Sequence, residues 1–148
     1  MSGSSTRDRF TGTWKLVGLL REHVDSGQKD DLFGPGATGY LNYTPDGRMM
    51  IIHLLGSRTK PAGSTPTPQE AHVLIKSMVS YAGTYTVSDN KVTHDIEVSW
   101  NEAWTGLRQT RTFALDGNRM TLTTPPQPDP LDGKMCVRRL TWEKVSSP

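Results

Sequence analysis

The sequence predicts an all-β protein, an eight-stranded antiparallel up-and-down β-barrel with one short helix between strands three and four. Runs of alternating apolar and polar residues recur along most of the chain, as in strands that bury one face. Short turns containing Asp, Asn or Gly join several of these runs, which makes consecutive strands antiparallel neighbours. The runs number eight, and a closed barrel of that size holds side chains or one small ligand in its interior.

The first strand is the one around which the barrel is expected to close. Gly12 precedes it and lets the backbone pass close to a neighbour, while Trp14 places a large apolar side chain where the strand enters the core. Pairing of this strand with the last one would close the sheet. The eight predicted strands cover residues 13–24, 38–44, 48–55, 81–87, 91–100, 107–115, 119–124 and 135–145.

A tight turn and a capped helix are marked by specific residues between these strands. The segment Thr44-Pro45-Asp46-Gly47 predicts a hairpin, because proline suits the first central turn position and glycine supplies a positive φ. Thr67 as N-cap, Pro68 at the first helical position and Glu70 form a capping box, which predicts a helix over residues 67–78. The apolar helix positions expected to face the barrel are Ala71, Leu74, Ile75 and Met78.

The remaining segments are predicted to be loops or disordered. Residues 25–38, rich in Gly, Asp and Lys, are a candidate lid for the barrel mouth. Residues 125–132 contain four prolines and cannot form a central strand, so they are expected to be a surface loop. Residues 1–10 lack the apolar block of a secretory signal and are expected to be a disordered lead-in. Residues 11–148 are then a single barrel domain, which suits the chain length.

Charge and cysteine content narrow the partners and the compartment. The net charge of +2 is spread along the chain, so no nucleic-acid partner is expected. No apolar run approaches the ~18 residues of a membrane span, so no membrane partner is expected either. Cys136 is the single cysteine, which fits a reducing compartment and a small buried hydrophobe rather than a nucleophile. We expect a cytoplasmic protein, and the sequence leaves monomer and homodimer open.

Several motifs taken together resemble the single-domain lipocalin-like domain proteins of microbes. They extend over roughly residues 10 to 145 and are Gly12-Thr13-Trp14, Phe33 to Leu41, Tyr43 to Met49, Tyr81 to Tyr85 and Val98 to Asn101. The resemblance implies a calycin-type barrel with a cavity, but no particular reaction. It also implies that an arginine of the last strand, Arg138 or Arg139, packs on Trp14.

Three local motifs do not indicate a cofactor, a glycan or a metal. Residues 34–39 match the dinucleotide pattern G-x-G-x-x-G, but a β-run follows where that fingerprint needs a helix, so no cofactor is expected. The sequon at residues 42–44 is attributed to chance, because no signal peptide precedes it. His94 and Glu97 point to opposite faces of a strand, which disfavours a metal site. Asp95 shares the solvated face of Glu97, so a catalytic carboxylate pair is disfavoured as well.

Polar residues that fall in register with apolar ones form the candidate site. The residues that share a strand face with His94 are Val92, Ile96, Val98 and Trp100, and those that share one with Arg111 are Leu107, Phe113 and Leu115. If these faces line the interior, an apolar cavity contains a few polar groups, as small-molecule sites do. The candidate catalytic residues are His94, Arg111 and His53. The candidate ligand-binding residues are Tyr81, Tyr85, Trp100, Phe113 and Arg138.

Two functions are consistent with such a cavity. One is a cofactor-independent isomerase, cyclase or lyase of specialised metabolism, in which a histidine transfers a proton and Arg111 or a tyrosine stabilises an enolate-like oxygen of an apolar substrate. The other is a carrier that binds a similar molecule unchanged. A third alternative is that His94 and Arg111 belong to a buried network with no ligand. The sequence alone does not choose between enzyme and carrier, since both need the same cavity.

Overall fold

The structure, a computed structural model, describes residues 2–32, 34 and 36–146. Phe33 and Pro35, which belong to the motifs above, lie outside the described residues. No helix within the described part of the chain is long and apolar enough to cross a bilayer.

Ten strands and two α-helices make up the described fold. The helices are α1 (Ser2–Phe10) and α2 (Pro68–Lys76), and a 3₁₀ turn covers Glu102–Trp104. The strands are β1 (Gly12–His23), β2 (Lys29–Asp31), β3 (Thr38–Tyr43), β4 (Arg48–Leu54), β5 (Met78–Ser88), β6 (Lys91–Ser99), β7 (Arg108–Asp116), β8 (Arg119–Thr123), β9 (Gln127–Pro128) and β10 (Met135–Ser146).

Eight of the strands close into an antiparallel barrel. Their order is β1, β3, β4, β5, β6, β7, β8 and β10, and β10 pairs back onto β1. The short strands β2 and β9 pair with β1 and β10 outside this ring. The predicted eight-stranded antiparallel barrel is therefore confirmed. The helix α2 follows β4. Because β2 lies outside the ring, β4 is the third strand of the barrel, although it is the fourth strand along the chain.

The pairing of β1 with β10 places a lysine, not an arginine, on the organising tryptophan. Gly12 has a φ of 125°, which side-chain-bearing residues rarely adopt, and Trp14 is fully buried. The register sets Trp14 opposite Lys144, whose Nζ lies 4.9 Å from the centre of the indole ring. The expectation of Arg138 or Arg139 at this contact is wrong, because these residues pair with the far end of β1.

The predicted hairpin and capping box are both present, but the apolar positions of the helix are not buried against the barrel as expected. Gly47 has a φ of 88° in the β3–β4 turn. The backbone N–H of Glu70 donates to Thr67 Oγ1 at 3.2 Å, and that of Thr67 donates to Glu70 Oε1 at 2.8 Å. No residue of α2 is buried, and Ile75 is 42% exposed. A single residue, Ser77, separates α2 from β5, which is too short a link for the helix to turn across the barrel.

The N-terminal residues differ from the expected disordered lead-in, since residues 2–10 form α1. Phe10 is fully buried, and its ring lies edge-on to Tyr43 at 5.3 Å and to Phe113 at 4.7 Å. Arg7 lies over the ring of Tyr85 at 5.3 Å. The helix thus covers the barrel end at which β1 begins. Phe10 is a single aromatic residue in an otherwise polar segment and produces no periodic pattern, so the sequence analysis did not predict that α1 packs on the barrel.

The two segments predicted to be loops also differ from their expected roles. Part of 25–38 forms the edge strand β2, and Asp30 in it binds Arg21. The loop at 125–132 is not a simple surface loop, because Asp129 is 4% exposed and Gln127 and Pro130 line the barrel cavity. Among the described residues, the mouth is therefore covered by 125–132 rather than by the segment predicted to be a lid.

Candidate functional site

A small cavity inside the barrel brings together five of the predicted site residues. They come from five strands, β4, β5, β6, β7 and β10, and are His53, Tyr81, His94, Arg111 and Arg138. The cavity has a volume of about 30 Å³, which is room for about one water molecule. Its apolar lining consists of Ile51, Val79, Trp104, Leu122, Pro130 and Leu140, with Thr124 and Gln127 adding polar atoms.

His94 is held between two tyrosine hydroxyls. Its Nε2 lies 2.6 Å from the Tyr43 hydroxyl, and its Nδ1 lies 2.6 Å from the Tyr81 hydroxyl. Burial, and then the charge of Arg111, lower the pKa of His94 to about 3, so the ring is neutral at pH 7. A neutral imidazole donates from one nitrogen and accepts at the other, and both roles are taken here. His94 is therefore the centre of a satisfied hydrogen-bonded chain.

Arg111 is a buried cation without a carboxylate partner in the described part of the chain. Its residue is 6% exposed, and its Nη1 donates to Gln109 Oε1 at 3.0 Å. No Asp or Glu of the described residues forms a salt bridge with it. Removing an ion from water without a counter-ion costs several kcal/mol. Arg111 therefore leaves one positive charge uncompensated inside the barrel.

The other two buried arginines have counter-ions. Arg138 donates from Nε and Nη2 to the two carboxylate oxygens of Asp129, each at 2.7 Å. Arg21 binds Asp30 at 2.8 Å and Asp132 at 2.9 Å. Burial by itself raises the pKa of Asp129, but the hydrogen bonds and charge of Arg138 hold that pKa below its usual range. These two guanidinium groups are neutralised, which Arg111 is not.

His53 contributes an unpaired nitrogen to the same interior. It is 3% exposed, and its Nδ1 is buried without a hydrogen-bond partner. Burial, and then the charges of Arg138 and Arg111, lower the pKa of His53 to about 3. The ring is neutral at pH 7 and retains hydrogen-bonding capacity that the protein itself does not use.

Three predicted ligand-binding residues lie elsewhere. Tyr85 is buried at the α1 end, where its hydroxyl donates to the Thr44 carbonyl at 3.0 Å. Phe113 contacts Phe10 at the same end. Trp100 lies toward the outside, and its Nε1 donates to the Ile75 carbonyl at 3.1 Å. None of the three is among the residues that line the cavity.

An irregularity in the β5–β6 pairing explains the placement of Trp100. Ala82 pairs with Val98 whereas Gly83 pairs with Ile96, so β6 carries one extra residue, Glu97. The alternation of inward and outward side chains changes there. Ile96 is 3% exposed, whereas Val98 is 62% exposed. Beyond this bulge, the residues at every second position from His94, such as Val98 and Trp100, no longer point into the barrel.

The sequence reasoning missed Tyr43 and Trp104. Tyr43 is two residues from Leu41, and both are buried on the same face of β3. The alternation of β3 could therefore have predicted that Tyr43 points into the barrel. Trp104 belongs to the 3₁₀ turn at the mouth, and its ring lies 5.9 Å from that of Tyr81 and 5.1 Å from that of Trp100. No periodicity marks a residue in such a turn, so only the folded structure reveals it.

The described residues form neither a metal-binding cluster nor a reactive thiol site. Within these ranges, no group of three or more His, Cys, Asp or Glu side chains is placed to hold a metal ion. Cys136 is 2% exposed, and its Sγ lies 3.5 Å from His23 Nδ1. Burial raises the pKa of the thiol, which disfavours the reactive thiolate form.

Comparison with known families identifies the barrel. The sequence profile described as a lipocalin-like domain matches residues 11–145. The chain belongs to this family. No curated protein matches it.

Three solved structures resemble the lipocalin-like chain over most of its length. An uncharacterised protein from Bacteroides eggerthii DSM 20697 is 14% identical, with 92% of this chain and 99% of that chain covered and a TM-score of 0.44. EF1p2_mFAP2b bound to DFHBI is 14% identical, with 96% and 98% covered and a TM-score of 0.49. As-p18, an extracellular fatty acid binding protein, is 15% identical, with 93% and 96% covered and a TM-score of 0.38. At these values none of the three determines a ligand for this chain.

The buried histidines predict an acid-sensitive barrel. His53 and His94 have folded-state pKa values lowered from 6.5 to about 3, so between these values the unfolded chain binds more protons than the folded one. Their stabilising contribution is complete above pH 6.5 and is lost as the pH falls toward 3. Each histidine should remove about 1.4 kcal/mol of unfolding free energy per pH unit in this window.

Urea denaturation at a series of pH values measures this dependence. In His53→Gln the slope of unfolding free energy against pH should decrease by about half between about pH 5 and 6.5, where the two buried histidines dominate the proton linkage because the lowered pKa of Asp129 acts at lower pH. His72→Gln, on the exposed surface of α2, is the matched control and should keep the parent slope. An unchanged slope in His53→Gln would contradict the assignment of a neutral buried ring.

Proposed function

We propose that this lipocalin-like domain binds one small, largely apolar molecule that carries a carboxylate or similar anionic oxygen, and that Arg111 binds this oxygen. The observation that carries the proposal is that Arg111 is 6% exposed and no described carboxylate pairs with it. A buried guanidinium binds an anionic oxygen through strong charge-assisted hydrogen bonds. A ligand that supplies a negative charge here also removes the energetic cost of burying the positive charge of Arg111 without a counter-ion.

The surroundings of Arg111 favour a single polar contact region in an otherwise apolar site. Arg138 and Arg21 are occupied by aspartates, so they offer no free charge. The unpaired Nδ1 of His53 provides one further hydrogen bond in the same interior. The walls that remain are mostly aliphatic or aromatic, with Thr124 and Gln127 as the other polar side chains. This combination matches small-molecule sites, in which a few polar groups orient a ligand within apolar walls.

Entry of a ligand requires the mouth to open. The cavity of about 30 Å³ is far below the roughly 300 Å³ of the smallest usual ligand pockets. Trp104 is partly exposed and lines the cavity from a short 3₁₀ turn, so its indole is the group that a ligand most readily replaces. The apolar part of the ligand would then occupy the place of the indole ring, with its anionic oxygen toward Arg111.

Binding without turnover is the better-supported use of this site. A general base works best when its pKa is near the operating pH, whereas His94 and His53 have pKa values near 3. Both nitrogens of His94 are also occupied by tyrosine hydroxyls. We therefore propose a carrier or sequestering protein in preference to a cofactor-independent isomerase or cyclase.

The test compares an acid with its ester in calorimetric titrations. The probe is 2-naphthoic acid, whose fused rings resemble in size the indole they would displace, and the control ligand is methyl 2-naphthoate. Wild-type protein should bind the acid and not the ester. Arg111→Gln should weaken binding of the acid about 10- to 100-fold, the equivalent of about 1.5–3 kcal/mol for a charged hydrogen bond. Arg108→Gln removes a 73% exposed arginine from the same strand and should leave binding unchanged.

Two further measurements keep the test decisive. Arg111→Gln should melt at the same or a higher temperature than the parent, because it removes an uncompensated buried charge. Chromatography of the recovered probe should show no conversion. Equal affinity for acid and ester, or for parent and Arg111→Gln, would contradict the assigned role of Arg111. Conversion of the probe would contradict the carrier proposal.

A further inference from the structure

The outside of the barrel carries an apolar patch on strands β3 to β6. We call this surface the outer patch and define it by Tyr40, Met50, Ile52, Ala82, Val98 and Trp100. Met50 is 60% exposed, Val98 62%, Tyr40 46% and Ile52 42%. Together these residues line an open groove of about 520 Å³. A concentration of large exposed apolar side chains on a folded domain marks an interaction surface.

The strand register makes the outer patch continuous. Met50 pairs with Asn42 on one side and with Ala82 on the other, and Ala82 pairs in turn with Val98. Ile52 lies in the next row, between Tyr40 and Ser80. The bulge in β6 contributes directly, because it turns Val98 to the outside. The result is a mainly apolar block two rows deep across four strands, in which Asn42 and Ser80 are the polar members.

The exterior of the neighbouring strands is polar by contrast. The outward positions of β7 include Arg108, Thr110 and Thr112, and those of β8 are Arg119, Thr121 and Thr123. Such hydrophilic outer faces are the norm for antiparallel sheets that meet solvent. The apolar character of β3 to β6 is therefore local and requires an explanation of its own.

The charges around the outer patch favour a second copy of the same chain as its occupant. None of the residues that line the groove is charged. At the border, Lys15 Nζ lies 5.6 Å from the centre of the Tyr40 ring, and Arg48 Nη1 lies 3.6 Å from Glu97 Oε1. A border with both signs is complementary to itself, since a two-fold axis can set Arg48 of one copy near Glu97 of the other. A lipid surface would instead call for a cluster of basic residues around the patch.

We propose that the outer patch is the interface of a symmetric homodimer, in which β3 to β6 of one copy cover β3 to β6 of the other. Most soluble homo-oligomers are two-fold dimers, and the interface core is apolar with aromatic and methionine side chains enriched. Tyr40, Met50 and Trp100 fit this composition.

Sedimentation velocity from the micromolar to the sub-millimolar range tests the proposal. Wild-type protein should sediment as a concentration-dependent dimer. Met50→Glu places a carboxylate in the middle of the interface and should weaken association at least ~30-fold, the effect of losing one interface hot spot. Thr112→Glu adds the same charge on the exposed face of β7 and should dimerise like the parent. Circular dichroism checks that both variants keep the parent β-sheet spectrum.

A charge-exchange experiment identifies the occupant as a second copy. Met50→Glu and Met50→Lys should each be monomeric alone, whereas their mixture should form dimers through the opposite charges. A wild-type protein that stays monomeric throughout the concentration range overturns the proposal. So does a dimer that Met50→Glu leaves intact, or a monomer that co-sediments with phosphatidylcholine vesicles, which would assign the outer patch to a lipid surface.

Discussion

Replacing Trp14 by alanine is expected to lower the free energy of unfolding by about 3–5 kcal/mol, the range for large aromatic truncations in a core. Trp14 is fully buried on β1, the strand that closes the barrel against β10. Its Nε1 donates to the Phe10 carbonyl at 2.8 Å, and Lys144 covers its ring. The substitution therefore removes apolar contacts, a buried hydrogen bond and the anchor of α1 together.

Guanidinium denaturation monitored by circular dichroism measures this loss. Trp104→Ala is the matched control, because it removes the same side chain from a partly exposed position in the 3₁₀ turn. Its effect should be clearly smaller, since less surface is buried there. If the two variants lose equal stability, closure of the barrel does not depend on Trp14 in the way the structure indicates.

Replacing Asp129 by asparagine is expected to cost about 3–5 kcal/mol, because breaking a buried ion pair leaves an uncompensated buried charge. The Asp129 side chain is 1% exposed and that of Arg138 is 7% exposed. Both carboxylate oxygens accept hydrogen bonds from Arg138, and Oδ1 also accepts one from the Leu131 backbone N–H. An amide in this place would turn a donor toward the guanidinium group. The loop at 125–132 would lose its attachment to the barrel mouth.

The chain provides a control with the same ion-pair distance at the surface. Asp95 and Arg108 are also 2.7 Å apart, but their side chains are 38% and 73% exposed. Asp95→Asn should cost less than about 1 kcal/mol, as exposed pairs usually do. The double variant Asp129→Leu/Arg138→Met should recover much of the stability lost in Asp129→Asn, since it removes both charges. Equal losses in Asp129→Asn and Asp95→Asn would contradict a structural role for the buried pair.

The sequence by itself determined the barrel and most of its inward-facing residues. Alternation at a period of two gave the eight strands, and it placed His53, Arg111 and Arg138 on buried faces as the structure has them. The turn at Gly47 and the capping box of α2 were also predictable. These features are local, since each depends on φ preferences, side-chain alternation or contacts within four residues.

Only the tertiary structure decided which residues meet across the barrel. The register of β1 against β10 chose Lys144 for Trp14, and the β6 bulge turned Val98 outward. The fold brought Asp129 from a proline-rich loop to Arg138, and brought no described carboxylate to Arg111. Local patterns specify the face of a side chain, but a partner far along the chain depends on strand register and loop path. For this reason the alternation showed two inward arginines, and only the fold distinguished Arg138, which has a carboxylate partner, from Arg111, which has none among the described residues.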